Sequence, residues 1–139
     1  MGFSRAFSVL SVLLVACTGT ATDDTANLGF RVSSAAPSQG DVDVTVAQTP
    51  EFRLNAPADP ETCTADNFLL VAIDEGGEFA FDMDYSVALE DDGNKLLFTH
   101  SDVFLKGYWY VAMSLNTDTP CLSTGGLPLE PYGVEFYVP

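Results

Sequence analysis

From Leu28 onward, apolar side chains return at every second position in short bursts separated by turn residues. That period belongs to half-buried strands, and no run of ten or more residues has helical spacing. The alternation predicts strands at Phe30–Ser34, Val42–Val46, Glu51–Asn55, Phe68–Ile73, Tyr85–Glu90, Lys95–Thr99, Tyr108–Leu115 and Val134–Val138. Between them stand Pro37-Ser38-Gln39-Gly40, Asp74-Glu75-Gly76-Gly77, Asp91-Asp92-Gly93-Asn94 and Thr124-Gly125-Gly126, all rich in turn formers. Asp92-Gly93 is the clearest hairpin signal, because both residue types tolerate positive φ. Asp59 to Cys63 fits a single helical turn with Pro60 at its first position. The expected fold is all-β, an antiparallel β-sandwich of about seven to eight strands.

The pattern changes before Leu28. Residues 1–16 read as a secretory leader, with Arg5 ahead of an acid-free apolar run from Ala6 to Ala16 that is too short to span a bilayer. Leu14-Val15-Ala16-Cys17 resembles the lipobox of bacterial lipoproteins. The resemblance implies cleavage before Cys17 and covalent acyl chains on it, which would tie the chain to a membrane and be its only covalent addition beyond a disulfide. Each buried methylene would contribute about 0.8 kcal/mol to that anchoring. Residues 17–27 then form an acylated start and a small, polar tether, leaving 28–139 as the folded domain. Thr18 is not the Asp that tends to retain lipoproteins in the inner membrane, so the implied address is the cell envelope, and the outer membrane if the cell is Gram-negative.

Composition narrows the function. The 139 residues include 5 Lys or Arg against 20 Asp or Glu, a formal charge of −15 and a pI near 4.1. Loss of Arg5 with the leader makes the chain one unit more acidic. Such a chain cannot neutralise phosphates, which excludes nucleic acid, and it does not dock electrostatically on anionic lipid. Apolar residues at 47% and charged ones at 18% provide for one core of ordinary size. The single histidine, His100, removes histidine triads and histidine-rich metal sites. With Cys17 assigned to lipid, Cys63 and Cys121 remain. In an oxidising compartment they are expected to bridge, stabilising the fold by about 2–4 kcal/mol. A metal site is the rival use, weakened by the absence of CxxC spacing.

Several short runs, in order, resemble the bacterial Ig-like domains of the SbsA type. Phe30 to Pro37 followed by Ser38-Gln39-Gly40-Asp41-Val42-Asp43-Val44 is similar to the P-x-x-G-x-x-x-V opening of that family. Glu51 to Pro60 is similar to its second strand and bend, Asp92-Gly93 through Thr99 to its D-G hairpin, and Leu105-Lys106-Gly107 through Tyr110 to its L-x-x-G-x-x-Y stretch. Asn55 stands where serine is usual, and Thr117–Leu129, with Cys121 in it, replaces the family's D-x-x-G-N loop. The resemblance implies an Ig-like sandwich that serves as a spacer, display unit or adhesive module and not as an enzyme; fold alone assigns no activity.

Candidate chemistry is sparse. Asp82 and Asp84, with Glu75 and Glu78 upstream, offer oxygens for calcium but lack an EF-hand loop, and a solvated acidic surface is the expected reading over a calcium site. There is no G-x-S-x-G or S-x-x-K, and His100 beside Ser101 and Asp102 fits a surface imidazole. The run Tyr108-Trp109-Tyr110 is more informative. Aligned to the family, Tyr110 points inward with Tyr108, Ala112 and Ser114. Leu96, Phe98, Phe68, Leu70, Val87 and Leu89 follow the same parity. Trp109, Val111, Met113, Leu97 and Val71 then point outward and form a candidate partner-binding face, set on one sheet made of Phe68–Ile73, Lys95–Thr99 and Tyr108–Leu115. The alternatives are an offset in the alignment on some strands, or coverage of part of this face by the tail. The expected function is a membrane-anchored, non-enzymatic protein-interaction module, with a structural spacer or a calcium- or carbohydrate-binding adhesin as alternatives. Substituting Cys17→Ala should move the chain from the membrane fraction to the soluble one; continued membrane association without lipid label would contradict the lipobox assignment.

Overall fold

A computed structural model of the chain describes residues 29–139. The leader, Cys17 and the tether lie outside the described residues. Eight strands are present: β1 Val32–Ala36, β2 Glu51–Leu54, β3 Phe68–Ile73, β4 Phe79–Asp82, β5 Ser86–Glu90, β6 Lys95–Thr99, β7 Tyr108–Ser114 and β8 Tyr132–Val138. They form two four-stranded antiparallel sheets, one ordered β8-β7-β3-β4 and the other β1-β2-β6-β5. The sheets face each other across one core, as an Ig-like β-sandwich does.

The core follows from the alternation. Phe52, Leu96, Phe98, Leu70, Tyr110, Phe136 and Val138 are each no more than 1% exposed, and they come from both sheets. Their rings meet edge to face, Phe52 on Phe98 at 5.1 Å and Phe68 on Phe98 at 5.7 Å between centroids. Tyr110 lies in a second aromatic group, 4.5 Å from Phe104 and 5.9 Å from Phe136. Its hydroxyl accepts the Leu105 N–H at 2.8 Å and donates to the Leu105 carbonyl at 3.1 Å, which satisfies a phenol buried in an apolar surround.

The hairpin between β5 and β6 turns where Asp92-Gly93 predicts it. Asp91, Asp92 and Gly93 all have positive φ, and Glu90 pairs with Lys95. A Cβ on Gly93 would also sit 3.1 Å from the Ala58 backbone N and O, so glycine is needed there twice over. Asp59 accepts from the Cys63 N–H at 3.0 Å, giving the single turn expected at Asp59–Cys63. That turn brings Cys63 to Cys121, and the two are bonded with Cα atoms 4.2 Å apart.

Two strand expectations need correction, and one strand is added. Val42–Val46 is no ladder strand. Gly40 and Val44 donate to the carbonyls of Glu135 and Tyr137, and the Tyr137 N–H donates to Asp41, so this segment covers the open edge of β8. Phe30–Ser34 becomes Val32–Ala36, with Phe30 in an isolated bridge to Leu129. The strand β4 is an addition. Phe79–Asp82 is short and follows two glycines, and the ladder shifts between Ala72 and Ile73, which breaks the period-two signal.

Candidate functional site

The two sheets differ on their outer faces. On β1-β2-β6-β5 the outward positions include Arg53, Lys95, Glu51 and Glu90. Lys95 Nζ lies 3.8 Å from both Glu51 and Glu90, and Arg53 Nη1 lies 3.5 Å from Asp91. Each such pair is worth about 0–1 kcal/mol at a surface, so the network contributes solubility more than stability. Among the described residues every ion pair belongs to this cluster.

The other sheet presents apolar rows. Directly paired residues of an antiparallel ladder point to the same face. One row therefore runs Phe79, Ile73, Trp109, Tyr137 across all four strands. The next runs Asp82, Val71, Val111, Glu135, and the third holds Leu69, Met113 and Gly133. Trp109 and Tyr137 are half-buried with ring centroids 5.5 Å apart, while Phe79 is 62% exposed. Val71 is buried yet stands outside the core cluster, flanked by Asp82 and Val111. A Cβ on Gly133 would meet the Met113 Cβ at 3.1 Å, so glycine leaves the methionine its place on the face.

Trp109, Val111, Met113 and Val71 are thus brought together, and Tyr110 is inside as the parity requires. Leu97 is not part of this face. It lies on β6 in the opposite sheet, between Glu51 and Ala88, which corrects the assignment of Lys95–Thr99 to the sheet of β3 and β7. Period-two alternation reports which side of a strand faces the core, and both sheets share one core, so parity carries no information on sheet membership. Tyr137 and Phe79 belong to the face although the sequence reading does not name them. Tyr137 follows from the parity of Val134, Phe136 and Val138; Phe79 could not be placed without β4.

The remaining candidates are accounted for locally. His100 has Nδ1 2.7 Å from the Asp102 carbonyl and Nε2 2.8 Å from the Gln48 carbonyl, and its ring lies 4.4 Å from that of Phe104. With both nitrogens facing carbonyl oxygens, it ties the loop after β6 to the segment before β2 and leaves neither nitrogen open on its outer side to a metal. Among the described residues, no group of three or more His, Cys, Asp or Glu is arranged to hold a metal, Asp82 and Asp84 included. A cavity of about 450 Å³ opens beside β4 between Phe81, Met83, Val103, Leu105 and the three aspartates Asp82, Asp84 and Asp102. Among the described residues, no helix is long and apolar enough to cross a membrane.

No family model matches the chain, and no curated protein matches it in sequence. Solved structures do match in fold. The chain is similar to part of the S-layer protein SbsC, with a TM-score of 0.60 and 19% identity over 84% of this chain and 14% of that one. An N-terminal part of SbsC gives a TM-score of 0.57 and 21% identity, covering 82% of this chain and 24% of that fragment. The methionine-rich copper resistance protein PcoC from Escherichia coli gives 0.55 and 12%, covering 80% of this chain and 99% of that one. CopC from Methylosinus trichosporium OB3b gives 0.51 and 16%, covering 78% and 92%. These likenesses establish a shared sandwich fold.

Two tyrosines carry shifted protons. Burial pushes the Tyr110 phenol up, partly offset by the Leu105 N–H. Tyr85 donates to the Ala65 carbonyl at 2.9 Å and is pushed up to about 12, first by burial and then by the negative charges of Asp66 and Asp82. An unfolded chain would release that proton near 10.0. The contribution of Tyr85 to stability is therefore complete below pH 10 and is lost as pH climbs toward 12. Tyr85→Phe should cost about 1 kcal/mol at neutral pH through the lost hydrogen bond. It should also flatten the fall in urea midpoint above pH 10 relative to the parent; an identical alkaline limb in both proteins would contradict the placement of Tyr85.

Proposed function

We propose that this chain is a lipid-anchored, extracytoplasmic, non-enzymatic module that holds a protein partner on the outer face of the β8-β7-β3-β4 sheet. The observation that carries the reading is the contrast between the two outer faces: one holds the ion pairs, while the other sets Trp109, Val111, Met113 and Val71 in continuous apolar rows. Large apolar patches on a soluble domain mark contact sites, because exposure forgoes about 25 cal/mol per Å² of burial. A continuous aliphatic and aromatic patch favours a protein over a sugar, which would call for an isolated indole among amides and acids. The lipobox-like Leu14–Cys17 run and the bonded Cys63–Cys121 pair support export and anchoring in the cell envelope.

A spacer or display role is the second reading, supported by the fold shared with S-layer domains. The two readings separate at Trp109. Trp109→Ala should lower the yield of a crosslinked complex in intact envelopes by tenfold or more, as removal of a central aromatic anchor does. Its cost to folding should stay below about 1 kcal/mol, against about 3–5 kcal/mol for truncating a core aromatic such as Tyr110. An unchanged complex, or none with the parent chain, would favour the spacer.

A further inference from the structure

The apolar face also carries information on what it binds. Its middle row has an acid at each end, Asp82 on the edge strand β4 and Glu135 on the edge strand β8, with Val71 and Val111 between them. Three inter-strand steps separate the two carboxylates, a span of about 15 Å. Among the described residues neither acid enters an ion pair, since Arg53 and Lys95 are engaged on the opposite sheet. Beside Asp82 the cavity adds Asp84 and Asp102 against the apolar walls of Phe81 and Leu105. Such a groove suits a lysine or arginine, whose stem lies on apolar surface while the head meets carboxylates.

The position of the face in the molecule adds a direction. Phe30, the second of the described residues, bridges Leu129 near the Cys63–Cys121 end of the sandwich. Towards the other end, the exposed Phe79 closes the row of Trp109 and Tyr137 on β4, the exposed Val42 lies in the segment bonded to Tyr137, and the exposed Val103 and Leu105 line the cavity beside β4.

Resting on the protein-docking reading above, we propose that the partner is a protein surface with an apolar strip flanked by Lys or Arg about 15 Å apart, approaching the end of the sandwich opposite the Cys63–Cys121 disulfide. The expected tether offers no equivalent occupant. Thr18 to Asn27 carries no large apolar side chain. A second copy would set acid rim against acid rim in a symmetric pairing of a strongly acidic domain.

The test places a photoreactive benzophenone side chain at Val111 in the full-length chain, in intact cells, with a control at Leu97 on the opposite sheet. The expected result is an adduct with a different protein from position 111 only, through a peptide rich in Lys or Arg. Its yield should fall at least tenfold in the double variant Asp82→Lys, Glu135→Lys, with circular dichroism unchanged. The milder pair Asp82→Asn, Glu135→Gln should give an intermediate loss. A covalent dimer of this chain, or an adduct indifferent to the charge reversal, would overturn the proposed chemistry while leaving the docking face standing. No adduct from position 111, or equal adducts from 97 and 111, would overturn the docking face itself, and with it this proposal.

Discussion

The burial of Tyr110 is the constraint on which the rest of the structure depends. Its ring has no exposed surface, packs tilted on Phe104 and stacked on Phe136, and has both roles of its hydroxyl satisfied by the backbone of Leu105. A slip of β7 by one residue would put Trp109 into that space and leave the Leu105 groups without their partner, at a cost of about 1–3 kcal/mol for each buried polar group abandoned. With β7 fixed, its two neighbours are fixed as well, since β3 and β8 both pair with it along its length. The apolar outer rows follow from that register.

The sandwich thereby divides its chemistry. One outer face carries Arg53 and Lys95 among Glu51, Glu90 and Asp91, a network of ion pairs. The other is apolar with acids only at its rim. Edges are managed separately, the Gln39–Val44 segment covering β8 through its backbone and through the Gln39 amide oxygen, which accepts from the Glu135 N–H at 2.9 Å. Covering the edge keeps β8 from recruiting another strand.

Much of this was legible in the sequence where one signal acted alone. Lys95–Thr99 and Phe68–Ile73 form strands with the bounds that alternation gives them, and Asp92-Gly93 turns where its φ tolerance predicts. The bridge between Cys63 and Cys121 followed from cysteine use in a chain whose first residues read as a secretory leader. Legibility ended where the outcome rests on pairing between distant segments. Leu97 shares the inward-outward rhythm of Val111 but belongs to the opposite sheet, because its ladder partners are Glu51 and Ala88. Phe79 was hidden by a bulge and by Gly76-Gly77, which together erase the alternation that would have revealed β4. Val42–Val46 alternates as a strand does, yet it is held to β8 by a few backbone bonds and forms no ladder.

The most direct measurement of this register is hydroxyl-radical footprinting of the intact chain, read residue by residue by mass spectrometry. Trp109, Met113 and Phe79 should be oxidised readily, while Tyr110, Phe104 and Phe136 stay protected until the protein unfolds. Protection of Trp109 together with oxidation of Tyr110 would place the opposite side of β7 in the core and contradict the account.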